Sequence, residues 1–327
     1  MKAIVHSRYG PPRDVLTLEE VTEPTPGEGE VLVRVRAASV NPADWHIVRG
    51  DPYIARLSFG IRGPKARVPG CDLAGQVEAV GPGVTALRPG DDVFGSSFMR
   101  GFGAFADLAS APADVLAVKP ARLSFEQAAA LPVAGLTALQ GLRDHGRVEA
   151  GHRVLIVGAS GGVGTFAVQI AKSIGAEVTG VSSTRNLDLV RSLGADHVVD
   201  YLREDFTESE GRYDFVFQLA GTLSPSRCRR LLTPKGTLIV STGESSGRII
   251  GPVARSIQAA ALSPFVTQRL SSFTVSPNTE DLDRLRELVE AGDVAPVVDR
   301  RHPLAEVPEA IAYLERGHAR GKVVIGV

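Results

Sequence analysis

Residues 154–172 constrain the chain more than any other stretch. Val154–Val157 are four consecutive apolar residues and read as a buried strand. Gly158, Ala159, Ser160, Gly161, Gly162, Val163 and Gly164 follow as a tight turn of small residues, and Val163, Phe166, Ala167, Ile170 and Ala171 have the spacing of a helix face. Glycines at such a strand–turn–helix junction let the backbone approach a pyrophosphate, whose charge is stabilised by unpaired N–H groups at the helix start. The pattern here is A-x-G-x-x-G, with Ala159 in place of the usual first glycine. A lone match would be weak. The context strengthens it, because Glu177–Ser182 reads as a second strand, Asn186–Leu193 as a helix and His197–Tyr201 as a third strand, which completes a βαβαβ unit.

Upstream, the texture is different. Short strands broken by Gly and Pro are expected at Lys2–Val5, Leu16–Glu20, Glu30–Ala38, Leu73–Val80, Asp92–Phe94, Phe105–Ala109 and Val115–Val118, making residues 1–122 an all-β domain, a partly open barrel. Helical spacing begins at Ser124. Beyond the βαβαβ unit, Tyr213–Leu219 and Gly236–Ser241 read as further parallel strands around a helix-like Pro225–Leu232, so the sheet is expected to run to about Gly243. The remainder offers an amphipathic segment (Ile249–Leu262), a strand near Phe273–Val275, helices at Asp281–Glu290 and Val307–Arg316, and a last strand, Lys322–Val327.

At 327 residues with 43% hydrophobic side chains, the chain is long enough for two domains with large cores. A formal charge of −1 with both signs interspersed gives no basis for nucleic acid or a membrane surface as partner. No apolar run approaches the ~18 residues of a membrane span, and the opening residues read as a strand without signal-peptide architecture, so a cytoplasmic location is expected. Cys71 and Cys228 form neither a disulfide framework nor a CxxC pair and read as small buried hydrophobes.

The nucleotide half of the cofactor is argued from the end of the second strand. An NAD-preferring fold places an acid there to accept from the ribose hydroxyls, whereas a 2′-phosphate requires that acid gone and hydroxyls or a cation nearby. Here Ser182, Ser183, Thr184 and Arg185 stand at that place, with Lys172 considered as a further cation on the first helix. NADPH is the expected cofactor.

Val40–Asp44, Pro69–Gly75, Val80–Val84, Pro89–Gly95, Ala130–Ala138, the glycine turn, Leu193–Asp196 and Gly321–Val324, in this order, resemble the medium-chain dehydrogenase/reductase superfamily and its zinc-free quinone oxidoreductase-like branch. The resemblance covers nearly the whole chain. It implies an α/β fold: a GroES-like β-barrel catalytic domain (1–122), a doubly wound parallel-sheet Rossmann domain (123–263), and a C-terminal return to the catalytic domain (264–327). It further implies Thr137, near the nicotinamide, and Lys322 as cofactor-binding residues, and Asn41 and Tyr53 as lining the substrate site. For the last two the residues themselves leave a plainer reading open, Asn41 as a turn residue before Pro42 and Tyr53 as a half-buried aromatic.

Where the zinc branch carries Cys, a His-Glu pair and Cys, this chain has Asn41, Cys71-Asp72 and Val133, and residues 95–103 lack the cysteines of a structural zinc lobe. No metal is expected. The implied reaction is hydride transfer from NADPH to a quinone or an α,β-unsaturated carbonyl. The alternatives are an enoyl-thioester reductase and a non-catalytic NADPH-binding protein. The loop from Gly50 to Val68, with Arg56, Arg62, Lys65 and Arg67, suits either an anionic substrate or a solvated lid. A homodimer is the expected assembly.

Overall fold

The computed structural model describes residues 1–208, 211–241, 251 and 253–327. Among these, seven strands precede residue 119: β1 (Lys2–Val5), β2 (Thr17–Glu20), β3 (Glu30–Val40), β4 (Asp72–Val80), β5 (Asp92–Ser96), β6 (Leu108–Pro112) and β7 (Leu116–Val118). Six follow in the middle: β8 (Arg153–Val157), β9 (Glu177–Ser182), β10 (His197–Asp200), β11 (Tyr213–Gln218), β12 (Leu232–Val240) and β13 (Arg269–Ser271). The last two are β14 (Val298–Pro303) and β15 (Lys322–Gly326).

The chain forms two compact units, one of residues 1–136, 276–292 and 296–327, the other of 137–275 and 293–295. In the first, the strand order is β14-β15-β3-β4-β5-β7, with β6 also on β3; the pairing is antiparallel except for β14 with β15. β3 shows why the barrel strands form. Val31, Val33 and Val35 alternate inward while Arg34 and Arg36 stay exposed, the period of a half-buried strand. Leu73, Val77, Val93, Val323 and Ile325 complete the same core, and the helix Val307–Glu315 adds Val307, Ala310 and Ile311.

The second unit holds a parallel sheet ordered β10-β9-β8-β11-β12-β13. Counted from β8, this is the 3-2-1-4-5-6 order of a doubly wound fold, with the chain reversing direction across the sheet at β8. The helix Gly162–Ile174 crosses from β8 to β9 and Leu187–Ser192 from β9 to β10. β8, β9 and β11 are mostly buried, as strands covered on both faces should be.

Several expected segments move. Pairing near residue 108 starts at Leu108 opposite Arg34, not at Phe105; Phe105 instead bonds through its N–H to Pro69 O and packs in the barrel core, so its apolarity marked a buried connection. The last strand of the parallel sheet is Arg269–Ser271 and not Phe273–Val275, since the Phe273 ring stacks on His145 at 4.3 Å. The helix Pro42–Arg49 and strand β14 were not anticipated. Gly243, the expected limit of the sheet, and Ile249, the expected start of the amphipathic segment, lie outside the described residues; the helix described there is Val253–Leu262. The units change over at 136/137 and 275/276, whereas the domain limits read from sequence were 122/123 and 263/264. The helix Phe125–Ala129 explains the first difference, because its buried Ala128 and Ala129 lie in the first unit.

Candidate active site

In the second unit, β8 ends at Val157 and the helix opens with Gly161 as N-cap, in extended conformation and with no side-chain cap. Its first N–H groups are therefore available to an anion. Gly158 has φ +90, a conformation that favours glycine. A Cβ on Gly164 would lie 2.1 Å from Gly158 O, so that glycine is required by the close packing of helix start on strand end. Ala159 and Ser160 are buried in the turn, and Gly161, Gly162 and Val163 are half-buried.

β9 delivers Ser182, Ser183, Thr184 and Arg185 to the same end of the sheet. Ser182 is buried and its hydroxyl has no partner; Thr184 and Arg185 are exposed. Sequence reasoning missed Asn186, whose amide donates to Ser160 Oγ at 3.0 Å and Ser183 Oγ at 3.3 Å, tying the turn to the strand end, while its Oδ1 is buried without a partner. Two orphaned polar atoms beside an uncapped helix start fit a ligand rich in donors and acceptors. It also missed Asp200, because that acid arrives from the neighbouring strand. Its Oδ2 accepts from Thr184 Oγ1 at 2.5 Å and its Oδ1 from the Leu202 N–H at 3.1 Å, and these bonds, that of Thr184 foremost, hold its carboxyl below the ordinary range. Both oxygens already accept from protein donors. Lys172 corrects an expectation: it lies ten residues along the helix from its start, about 15 Å away, and its ammonium is held by Asp196 at 2.7 and 2.9 Å and by Ala176 O. Thr137 is buried within the helix Pro132–Gln140.

In the first unit, Asn41 ends β3's extension and caps the helix Pro42–Arg49, with Pro42 at its first position and Asp44 Oδ2 accepting from the Asn41 N–H at 2.7 Å. The Asn41 side chain turns away from the helix. Its Nδ2 donates to Asp72 Oδ2 at 2.8 Å and lies 3.7 Å from Cys71 Sγ, and its Oδ1 accepts from Lys322 Nζ at 2.6 Å. Asp72 also accepts from Ser39 Oγ at 3.0 Å and from the Val133 N–H at 3.3 Å. Asn41, Asp44, Asp72 and Lys322 are all buried. Lys322, expected at the cofactor, is placed in this cluster by the antiparallel pairing of β15 with β3. Burial pushes the Asp44 carboxyl up to about 7 and the Cys71 thiol well up, with the neighbouring carboxylates adding to both.

This donor set does not suit zinc. Cys71 is a lone thiol, Asn41 and Val133 are poor ligands, and the Lys322 ammonium already lies beside Asp72. Among the described residues no three His, Cys, Asp or Glu side chains converge as a metal site.

Tyr53 lies on the turn Tyr53–Ala55 and is exposed. The Arg56 guanidinium sits 4.7 Å from its ring centre and 4.6 Å from that of Tyr9, and donates to Gly50 O, while Arg67 pairs with Glu19. Half of the loop's cations are thus engaged in holding the loop. The loop's Phe59, Pro64 and Lys65, with Ile47, Met99 and Phe102, line most of an apolar cavity of about 320 Å³. Cys71 and Cys228 are buried and unpaired.

No helix among the described residues is long and apolar enough to cross a membrane. Residues 27–121 match the alcohol dehydrogenase GroES-like domain, and residues 193–325 match the family described as zinc-binding dehydrogenase, a stretch that excludes Asn41, Cys71 and Val133. The 2-methylene-furan-3-one reductase of Solanum lycopersicum is 35% identical over 99% of this chain and 79% of its own length. The NADPH-dependent alkenal/one oxidoreductase, chloroplastic, of Arabidopsis thaliana has the same identity and coverage. The quinone oxidoreductase of Escherichia coli, solved in complex with NADPH, superposes with a TM-score of 0.84 at 27% identity over the full length of both chains. The chain belongs to the medium-chain dehydrogenase/reductase superfamily, in its quinone oxidoreductase-like family.

Proposed function

We propose that this protein is a zinc-independent, NADPH-dependent oxidoreductase that reduces a quinone or an α,β-unsaturated carbonyl. The observation that carries the reading is the uncapped, glycine-lined helix start beside the end of β9, which bears hydroxyls and Arg185 and no acid of its own. The names of the tomato, Arabidopsis and E. coli relatives point to the same acceptors and cofactor.

NADPH, when bound, supplies hydride from its nicotinamide. The chain's residues have the remaining tasks. The turn from Gly158 to Gly164 receives the diphosphate at main-chain N–H groups, Ser182 and Asn186 offer partners to the adenosine half, and Arg185 together with Ser183 answers the 2′-phosphate, while Thr184 gives its one proton to Asp200. Asn41 presents an N–H to the acceptor's oxygen, on which negative charge gathers as the conjugated carbon receives hydride. A conjugated acceptor suits one hydrogen bond, because it delivers charge to a distant oxygen and needs no Lewis acid at the reacting carbon. Tyr53 is proposed at the substrate mouth. The enoyl-thioester alternative is not favoured, since the tomato and Arabidopsis relatives at 35% identity are named for enone acceptors.

The cytoplasm is our reading of its location, supported by two buried free thiols, which suit a reducing compartment. The homodimer is likewise a proposal, supported by the edge position that the three-residue β13 holds on the parallel sheet among the described residues. Light scattering on the purified protein tests it.

The activity test is a panel of quinones, enones, simple aldehydes, alcohols and enoyl thioesters, followed by NADPH absorbance. Quinones and enones should give the highest kcat/KM. Higher values for simple alcohols or aldehydes would defeat the reaction class, and turnover of no acceptor would favour a binding protein.

A further inference from the structure

We infer that Lys322 is a tethered cation that pairs with Asp72 and holds the Asn41 amide in the one orientation that leaves an N–H for the substrate. The inference rests on the function proposed above and adds a positioning residue to it. The geometry begins with β15. Gly321 has φ +102, and a Cβ there would lie 2.3 Å from Val297 O, while the Lys322 N–H donates to that same oxygen at 2.8 Å. The start of the strand is therefore fixed, and the pairing of Val323 with Val40 sets Lys322 against Asn41.

From there the ammonium reaches three acceptors: Val40 O at 3.2 Å, Asn41 Oδ1 at 2.6 Å and, at 3.6 Å, Asp72 Oδ2. Its side chain is 3% exposed and that of Asp72 is 0% exposed. Two buried charges persist only when each supplies the other's compensation. These acceptors are three oxygens facing a single cation, two of them at hydrogen-bond distance and the carboxylate at ion-pair distance.

The consequence falls on Asn41. An amide flipped by half a turn would set its NH2 against the ammonium, so Lys322 forbids that orientation. In the permitted orientation one N–H is taken by Asp72 at 2.8 Å, and the other faces only the long contact to Cys71 Sγ at 3.7 Å. Sulfur at that distance is a weak acceptor. That second N–H is the one an oxygen of the acceptor can claim.

The test compares wild type with Lys322→Ala and with the charge-neutral pair Lys322→Met/Asp72→Asn, using ethylammonium chloride as the probe and sodium chloride as control. For Lys322→Ala, kcat with an enone should fall about ten- to hundredfold, the scale of a lost or misdirected hydrogen bond at a charged site. NADPH affinity, read by fluorescence titration, should stay within about twofold. Ethylammonium should restore kcat saturably and raise the melting temperature of this variant alone. A loss of NADPH affinity with kcat retained would overturn the inference and return Lys322 to the cofactor, and an unchanged kcat would overturn it too. Should Lys322→Ala fail to fold, the neutral pair leaves no unpaired buried charge; it should fold and remain slow, and wild-type kcat in it would defeat the proposal. A wild type that reduces no acceptor would sink the proposed function instead, while melting-temperature rescue by ethylammonium still reads the tethered cation.

Discussion

Arg185 and Asn41 show how differently two polar residues can serve a redox site. Arg185 stands exposed in the turn after β9, where a guanidinium can add charge-assisted bonds to a 2′-phosphate and where salt weakens them. Arg185→Ala should therefore lose about 1.5–3 kcal/mol of NADPH affinity, roughly ten- to hundredfold, and less at high ionic strength. NADH affinity should hardly move. Titrating both cofactors against both proteins decides it, and equal losses would mean that Arg185 serves the fold or the shared diphosphate. Asn41, by contrast, is buried, and its value lies in which of its atoms the neighbours leave over. The same neighbours bear on metal. With a lone thiol at Cys71, poor ligands at Asn41 and Val133 and an ammonium at Asp72, purified protein should carry no stoichiometric zinc, and chelators should leave enone reduction intact. Elemental analysis near one zinc per chain, with activity lost on its removal, would contradict the donor argument.

Among the elements, the strand–turn–helix of β8 and Gly162–Ile174 depends closely on its glycines. A methyl on Gly164 would fall 2.1 Å from Gly158 O, a main-chain atom that cannot step aside, whereas a methyl on Gly161, with φ −80, meets its nearest atom at 3.4 Å. Gly164→Ala should cost about 1–3 kcal/mol by overpacking, and Gly161→Ala should keep the fold; urea melts of the two variants test the contrast. This element was legible in sequence because strand, turn and helix each carry their own periodicity within twenty residues. β9 was legible to the residue for the same reason. The helix Pro42–Arg49 was not, although Asn41, Pro42 and Asp44 form a readable start signal, since eight residues span barely two turns and show no clear helical period. β14 was hidden by its composition: Val298–Pro303 is half-exposed and rich in charge, so no alternation marks it. The buried cluster lay beyond sequence for another reason. Asn41, Asp72 and Lys322 are separated by up to 281 residues, and only the pairing of β15 with β3 brings Lys322 to the other two. Asp200 was missed similarly, as periodicity places a residue on its own strand and not beside the next one.

At the scale of the whole molecule, the first unit should carry an unusual pH dependence. Asp44 has no exposure, its Oδ1 has no partner, and it faces the Asn41 N–H, the Asp72 carboxylate and the Lys322 ammonium. Burial, with help from Asp72, raises its folded pKa from 3.8 to about 7. Between those values the folded protein holds a proton that the unfolded chain has released. The stability contributed by Asp44 is therefore complete below pH 3.8 and lost as pH rises through about 7. His6 acts in the other direction, since burial lowers its pKa from 6.5; its contribution is present above 6.5 and lost as pH falls through the folded value. A wild-type curve alone mixes the two. Asp44→Asn separates them, because an amide oxygen can still accept from the Asn41 N–H while titrating nothing. The stability of the variant minus that of wild type should rise with pH from about 4 to about 7, by at most ~1.4 kcal/mol per unit, and level off above. Trp45 makes the reading specific to this unit. It is the chain's one tryptophan, adjacent to Asp44 and packed on the barrel core, so its fluorescence in urea reports the unfolding of the first unit. Parallel curves for the two proteins across that range would show that Asp44 titrates as it does in the unfolded chain, and the buried cluster would then have to hold two carboxylates against one ammonium.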